Sequence, residues 1–200
     1  MSVKEVSLLQ QRILKSAEEV IRTACMLKEP AALEFIEKAS LLIADCFKKE
    51  GKVLVAGNGG SLCDAMHFTE ELTGFYRHKR PALAAIALSD PGHMSCVAND
   101  IGYDFVFSRA VEALGKEGDM LVLLTTSGNS SNLLRAAQTA RDKGMMMIAF
   151  LGKTGGKLKG VADLEWIVDG FPYSDRIQEV HMAAIHMIIE MVEEELFHVS

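Results

Sequence analysis

Five short apolar runs, each separated from the next by a stretch with helical character, dominate the sequence after residue 50. They cover Val53 to Ala56, Leu83 to Leu88, Met120 to Leu124, Met146 to Leu151 and Leu164 to Val168. Parallel strands are buried on both faces and therefore appear as continuous apolar runs rather than alternating ones. We predict an α/β fold, a three-layer sandwich in which a five-stranded, mainly parallel sheet is flanked by helices.

Helices are predicted at both ends of the chain. Apolar residues recur with helical spacing from about Val3 to Leu27, and a second amphipathic helix starts at Pro30, so residues 1–50 are expected to form a helical hairpin. The last helix, from about Ser174 to Phe197, is apolar nearly all round and must be buried. We predict one domain over residues 1–200.

Composition excludes several classes of function. The formal net charge is -6 and the basic residues are scattered, so nucleic acid is not an expected partner. The longest dense apolar run, residues 145–151, is far shorter than the roughly 20 residues that span a bilayer. The four cysteines show no CxxC spacing and the start has no signal-peptide pattern, so a cytoplasmic protein is expected.

A glycine-rich segment, Gly57 to Ser61, follows the first apolar run. Ligands of α/β sheets bind at the carboxyl ends of strands, and small residues there let backbone N–H groups approach a phosphate. The segment lacks the GK[ST] of a Walker loop, and Leu62 holds the place of the third glycine of GxGxxG, so no nucleotide cofactor is expected. The alternative is an ordinary strand-to-helix turn with Ser61 as N-cap.

A second strand end carries hydroxyl groups around a glycine turn, in the segment TTSGNSSN. Thr125, Thr126, Ser127 and Ser130 could hold a phosphate by donating hydrogen bonds, without Lys or Arg. Such a site suits the phosphate of a neutral sugar. Helix capping by one Ser or Thr is the alternative.

Two pairs of polar residues lie on common helix faces. His67 and Glu71 are four residues apart, and Gln178 and His186 are eight apart on the buried last helix. Polar groups on a buried face need partners. The alternatives are a solvated contact for the first pair and satisfied core histidines for His186 and His181.

Four segments together resemble the sugar isomerase (SIS) domain family and, more narrowly, the sedoheptulose-7-phosphate (phosphoheptose) isomerases. They are GNGGSLCDAMHFTEELTG, CVANDIG, TTSGNSSN and DRIQEVHMAAIH, in the order and approximate spacing of that family. The similarity covers nearly the whole chain. Leu62, Thr69 and Phe75 depart from residues that are frequent in relatives, and none of the three is a named acid, base or ligand.

The resemblance implies roles for particular residues. Glu71 and His186 would carry the proton chemistry, and His67, Glu71, Gln178 and His186 can bind a zinc ion seen in some members. Either the metal or the free acid/base pair would then dominate, because a zinc-bound Glu71 is a poorer base. The implied substrate-binding set is Asn58, Gly59, Gly60, Ser61, Glu71, Asn99, Asp100, Thr125, Thr126, Ser127, Ser130, Asp175 and Gln178.

The resemblance also implies an activity. The enzyme would convert sedoheptulose 7-phosphate to D-glycero-D-manno-heptose 7-phosphate through an enediol, for heptose in the lipopolysaccharide core, as a homotetramer with active sites at subunit interfaces. One alternative is a non-catalytic SIS protein that binds a replication initiator or other protein, but His186 favours an enzyme. Another is a sugar-phosphate sensor, which would need a separate DNA reader.

Overall fold

A computed structural model describes residues 7–198 and contains seven α-helices and five strands over that range. The helices are α1 (Leu8–Met26), α2 (Pro30–Lys48), α3 (Gly60–Thr73), α4 (Pro91–Asp100), α5 (Val106–Leu114), α6 (Ser131–Asp142) and α7 (Ser174–Phe197). The strands are β1 (Val53–Gly57), β2 (Ala85–Ala87), β3 (Met120–Thr125), β4 (Met146–Gly152) and β5 (Leu164–Val168).

The strands form one sheet in the order β2-β1-β3-β4-β5, and every neighbouring pair is parallel. The predicted parallel sheet is therefore confirmed, with strand bounds within one residue of the predicted ones except in β2. Only Ala85–Ala87 of the predicted Leu83 to Leu88 run is strand. As an edge strand β2 pairs with β1 alone, and the N–H of Leu83 instead donates to the carbonyl of Leu72 in α3, at 3.0 Å.

Two apolar cores lie on opposite faces of the sheet. Alternate side chains of a strand point to opposite faces, so Val53 and Val55 join one core while Leu54 and Ala56 join the other. The first core is covered by α2, α3 and α7, and the second by α4, α5 and α6. This arrangement confirms the predicted three-layer sandwich.

Two helices precede the sheet, and the first of them is mostly uncovered. A capping box between Ser7 and Gln10 starts α1. The part of the predicted helix from Val3 to Val6 lies outside the described residues. Thr23 is the buried residue of α1, whereas its large apolar side chains are exposed: Leu8, Leu9, Ile13, Leu14, Val20 and Ile21.

Helix α7 begins at Ser174 and ends at Phe197, as predicted, and its apolar side chains belong to the first core. His181 in this helix is fully buried, with its Nε2 3.0 Å from the carbonyl oxygen of Leu151. It is therefore a core histidine, in agreement with the alternative reading. Between residues 7 and 198, none of the helices combines the length and apolar character needed to cross a bilayer.

Candidate active site

The glycine-rich segment forms the turn from β1 into α3. Gly59 is the N-cap and adopts φ 58° and ψ -124°, a conformation that residues with a side chain rarely adopt. The alternative in which Ser61 is the N-cap is wrong on that point, because helical backbone already begins at Gly60. Ser61 is a buried residue of the first helical turn.

Asn58 joins the first loop to the second. Its side-chain amide and that of Asn132 at the start of α6 donate to each other, at 3.0 and 2.9 Å. The hydroxyl of Tyr103 also donates to Asn58 Oδ1, at 3.1 Å. Strands β1 and β3 are neighbours, so their carboxyl ends bring these loops together. Asn132 was not predicted as a site residue, although it lies in the segment TTSGNSSN.

Gln178, on the second turn of α7, lies against the glycine turn. Its Nε2 donates to Ser61 Oγ at 3.4 Å. A Cβ atom added to Gly60 would lie 2.7 Å from both amide heteroatoms of Gln178. Glycine at position 60 therefore makes room for this amide, and the two segments that the sequence analysis selected meet here.

His67, Glu71 and His186 form the central cluster of the site. Nε2 of His67 lies 3.4 Å from Glu71 Oε1 in α3 and 3.4 Å from Nε2 of His186 in α7. One potential ligand atom from each residue lies within 4.8 Å of the others. The two helices thus bring together residues more than a hundred positions apart in sequence. All three side chains are partly exposed, so a ligand can reach them.

The surroundings of His186 favour its neutral form. Burial is the largest cause that lowers its pKa, and the charge that His67 can carry lowers the pKa further. The Glu71 carboxylate opposes both effects. A neutral imidazole has one nitrogen that can accept a proton or bind a metal.

Asp64 is a second acidic group near the cluster, and the sequence analysis missed it. Its Oδ2 atom is buried and has no hydrogen-bond partner among residues 7–198. Burial raises the pKa of Asp64 to about 6, although the neighbouring His67 lowers it. Asp64 precedes His67 by three residues and Glu71 by seven, and residues at that spacing share a helix face. This spacing was visible in the sequence and could have identified Asp64.

The cluster is chemically suited to a metal ion. Two imidazoles and one carboxylate are a donor set found in catalytic metal sites, where the fourth position stays open to water or substrate. Metal–ligand bonds of about 2.0–2.1 Å place tetrahedral donors roughly 3.4 Å apart. Both measured separations from His67 match that spacing. Gln178, the fourth predicted ligand, contacts Ser61 as described above.

The hydroxyl groups of the second loop are arranged around the start of α6. Thr125 Oγ1 accepts from the N–H of Gly128 at 3.1 Å, and Ser127 Oγ accepts from the N–H of Asn129 at 3.3 Å. Thr126 Oγ1 lies 3.0 Å from Ser174 Oγ at the start of α7. Ser130 is the N-cap of α6 but makes no side-chain capping bond.

Three further predicted residues lie at helix ends. Asn99 and Asp100 are exposed in the last turn of α4, where Asn99 Nδ2 donates to Asp100 Oδ1 at 2.7 Å. Asp175 is exposed in the first turn of α7, and its Oδ1 accepts from the N–H of Arg176 at 2.9 Å. Neither contact joins these residues to the histidine cluster.

Comparison with known proteins agrees with this architecture. The model of the SIS domain family matches residues 5–152. A phosphoheptose isomerase of Aeromonas hydrophila is 60% identical over 164 residues, which are 82% of this chain and 85% of the relative.

Two solved structures have the same fold. The phosphoheptose isomerase of Francisella tularensis superposes with a TM-score of 0.88 at 33% identity, covering 94% of this chain and 100% of the other. That of Neisseria gonorrhoeae gives a TM-score of 0.86 at 37% identity, covering 93% and 99%. The chain therefore belongs to the SIS domain family and, within it, to the phosphoheptose isomerases.

Proposed function

We propose that this protein interconverts sedoheptulose 7-phosphate and D-glycero-D-manno-heptose 7-phosphate, an aldose–ketose isomerisation. The observation that carries the proposal is the convergence of Glu71, His67 and His186 beside two strand-end loops. Its relatives at 52–60% identity are named phosphoheptose isomerases. The same convergence is an argument against a purely protein-binding module, which has no need of an acid/base cluster.

Glu71 is proposed as the carbon base. Its carboxylate takes a proton from C1 of the open-chain ketose, and the electrons of that C–H bond form the C1–C2 double bond. The π electrons of the C2 carbonyl move to its oxygen, which takes up a proton to give the enediol. Return of a proton to C2, with loss of the proton from the C1 hydroxyl, gives the aldose. The reaction requires no oxidant or reductant because C1 is oxidised as C2 is reduced, so the electron pair stays within the substrate.

His186 is proposed to move protons at the substrate oxygens. Its low pKa supplies a neutral ring that can accept the proton of one hydroxyl and later return it. The cluster's potential ligand atoms lie within 4.8 Å, a span that two adjacent carbons and their oxygens can bridge. His67 contacts both other members and holds their relative position.

The two loops are proposed to bind the rest of the sugar phosphate. Thr125, Thr126, Ser127 and Ser130 are assigned to the phosphate, and the Ser130 hydroxyl, which makes no capping bond to α6, supports this assignment. Binding energy from this remote group holds the reacting carbons in register. The remaining proposed substrate contacts are Asn58, Gly59, Gly60, Ser61, Asn99, Asp100, Asp175 and Gln178.

Zinc is proposed as the metal of the cluster, held by His67, Glu71 and His186, with Gln178 as the predicted fourth ligand. When bound, zinc would polarise the substrate carbonyl and stabilise negative charge on its oxygen. A zinc-bound Glu71 is less basic, so the metal-free acid/base pair is the competing arrangement. Chelation and zinc titration distinguish the two arrangements.

A homotetramer is proposed, with residues 1–50 in its packing and active sites at subunit interfaces. The apolar side chains exposed on α1 support this, since exposed apolar patches mark interaction surfaces. We also propose that the enzyme acts in the cytoplasm and supplies heptose for lipopolysaccharide core. All four cysteines are free thiols, as in a reducing compartment.

Incubation with sedoheptulose 7-phosphate in deuterated water tests the activity. We expect the aldose to appear and deuterium to enter at C2, because the abstracted proton exchanges with solvent at the enediol stage. Fructose 6-phosphate, which is one carbon shorter, serves as the control for substrate length. Absence of both aldose product and exchange would refute the proposed function.

A further inference from the structure

Arg80 and Glu193 form a buried ion pair between the loop after α3 and the helix α7. Arg80 Nε donates to Glu193 Oε1 at 2.6 Å, and the side chains are 1% and 2% exposed. An uncompensated charge at such a site is strongly unfavourable. The polar atoms of both groups must therefore find partners, and the identity of those partners indicates what the pair does.

The guanidinium of Arg80 caps the end of α3. Its Nη2 donates to the carbonyl of Glu71 at 2.8 Å, and its Nη1 donates to the carbonyl of Leu72 at 2.8 Å. The last carbonyls of a helix have no partners within the helix, and a cation near them is favourable. Arg80 thus binds the backbone of the proposed catalytic base directly.

The carboxylate of Glu193 holds the loop that follows α3. Its two oxygens accept from the N–H groups of Tyr76 and Arg77, at 3.1 and 3.4 Å. Glu193 lies seven residues after His186, two turns along the same face of α7. Arg77 adds a second ion pair to α7, with Glu190. One helix therefore carries both the catalytic histidine and the anchor for the helix end that carries Glu71.

We propose that Arg80 and Glu193 are positioning residues, a pair that sets the placement of Glu71 relative to His186. The inference rests on the isomerase function proposed above. Neither residue belongs to the cluster of His67, Glu71 and His186, so both act through Glu71 and His186. Small displacements of catalytic groups, about 1 Å, can lower turnover roughly 100-fold, so loss of this pair is expected to affect kcat.

Two conservative variants test the pair. R80K keeps the charge but loses the fork that reaches two carbonyls at once, and E193Q keeps the shape but loses the charge. We expect kcat for sedoheptulose 7-phosphate to fall at least tenfold, with KM within about twofold of wild type, since the substrate-binding loops are untouched. The imidazole signals of His67 and His186 in NMR spectra should also move.

D119N is the matched control. The Asp119 carboxylate is also buried, pairs with Lys52, and accepts from two backbone N–H groups, those of Lys52 and Lys116, each at 3.0 Å. It lies just before β3, at the amino end of the sheet, whereas the site is at the carboxyl end. We expect D119N to lower stability as E193Q does, yet to keep wild-type kcat and unchanged imidazole signals.

The outcomes separate the proposals. Wild-type kcat in folded R80K and E193Q, equal losses of kcat in D119N, or unmoved imidazole signals would overturn the positioning role. If the single variants do not fold, the double variant R80M/E193L provides the test, because it leaves no unpaired buried charge. Wild-type kcat in the double variant, or its failure to fold, would also overturn the positioning role. Lack of turnover in the wild type would defeat the isomerase function, while the NMR comparison would still test the pair.

Discussion

The ring of Tyr76 stacks on the imidazole of His186, with ring centroids 5.5 Å apart and planes inclined by 15°. Tyr76 belongs to the loop after α3, and its backbone N–H is held by Glu193. The imidazole of His67 meets His186 edge-on, with centroids 4.9 Å apart and planes at 76°. His186 is therefore held by aromatic contacts on two sides, which restricts the orientations that its ring can adopt.

Replacing Tyr76 tests this restraint. We expect Tyr76→Ala to lower kcat roughly 2- to 10-fold, because stacking of this kind contributes about 0.5–1.5 kcal/mol beyond burial. Tyr76→Phe keeps the ring and should retain nearly all activity. Steady-state kinetics at a temperature where both variants are folded makes the comparison. Equal activity of the Ala and Phe variants would show that the stack has no catalytic role.

Glu71→Gln should abolish isomerisation, with a loss of kcat of at least about 100-fold, because the amide keeps the shape but lacks the basic oxygen. Glu70→Gln is the control, since Glu70 is the adjacent residue and its side chain is 66% exposed. Size-exclusion chromatography checks that assembly is unchanged. Near-normal turnover by Glu71→Gln would exclude Glu71 as the base.

Zinc binding can be measured apart from activity. We expect His67→Ala and His186→Ala to lower zinc affinity more than tenfold in calorimetric titrations, because each removes one of three donors. The same loss in Gln178→Ala would identify the fourth ligand. Unchanged affinity in His67→Ala would contradict the proposed site.

Activity after chelation distinguishes the two mechanisms. If zinc takes part, chelation should remove turnover and added zinc should restore it. If the free acid/base pair works alone, chelation should leave the rate unchanged, and zinc should inhibit by occupying Glu71.

His181 is expected to make stability sensitive to acid. Burial lowers its pKa from 6.5 to about 4, although the Leu151 carbonyl opposes this. Above pH 6.5 the His181 imidazole is neutral in both the folded and the unfolded protein. Below that pH the unfolded chain binds a proton at His181, whereas the buried imidazole of the folded protein stays neutral until about pH 4. Stability should therefore fall by about 2 kcal/mol between pH 7.5 and 5.

Urea unfolding of wild type and His181→Gln at both pH values, at one protein concentration, measures this contribution. The variant keeps a donor for Leu151 but cannot titrate, so its loss of stability on acidification should be about 2 kcal/mol smaller. Identical pH dependence of the two proteins would show that His181 is not responsible.

The exposed face of α1 should be required for assembly. Ile13 is 58% exposed, and Ile13→Glu places a charge that would have to be buried in a packed interface. We expect sedimentation velocity to show dissociation to smaller species. Lys15→Glu, also exposed on α1, reverses a charge on a different side of the helix and should leave assembly intact. An unchanged sedimentation coefficient for Ile13→Glu would exclude this face.

Apolar patterning predicted the sheet because burial on both faces leaves a continuous apolar run in each central strand. It also predicted the ends of α7. It overestimated β2, an edge strand that pairs with β1 alone, and at its start the N–H of Leu83 donates to the carbonyl of Leu72 in α3. The cluster of His67, Glu71 and His186 followed from helix spacing together with family resemblance. Tyr76 and Asn132 were missed because each matters through contacts that local spacing does not encode. Asp64 was missed although its spacing places it on the helix face of His67 and Glu71.

The amino-acid sequence by itself determined which segments become strands and helices and which helix faces carry the polar residues, because these depend on periodicities of two and 3.6 residues. Only the tertiary structure decided that His67 and His186, 119 positions apart, meet at 3.4 Å. The same holds for Arg80 and Glu193, which join the end of α3 to α7. Such pairings depend on how packed helices lie against each other, and side chains all along both elements determine that.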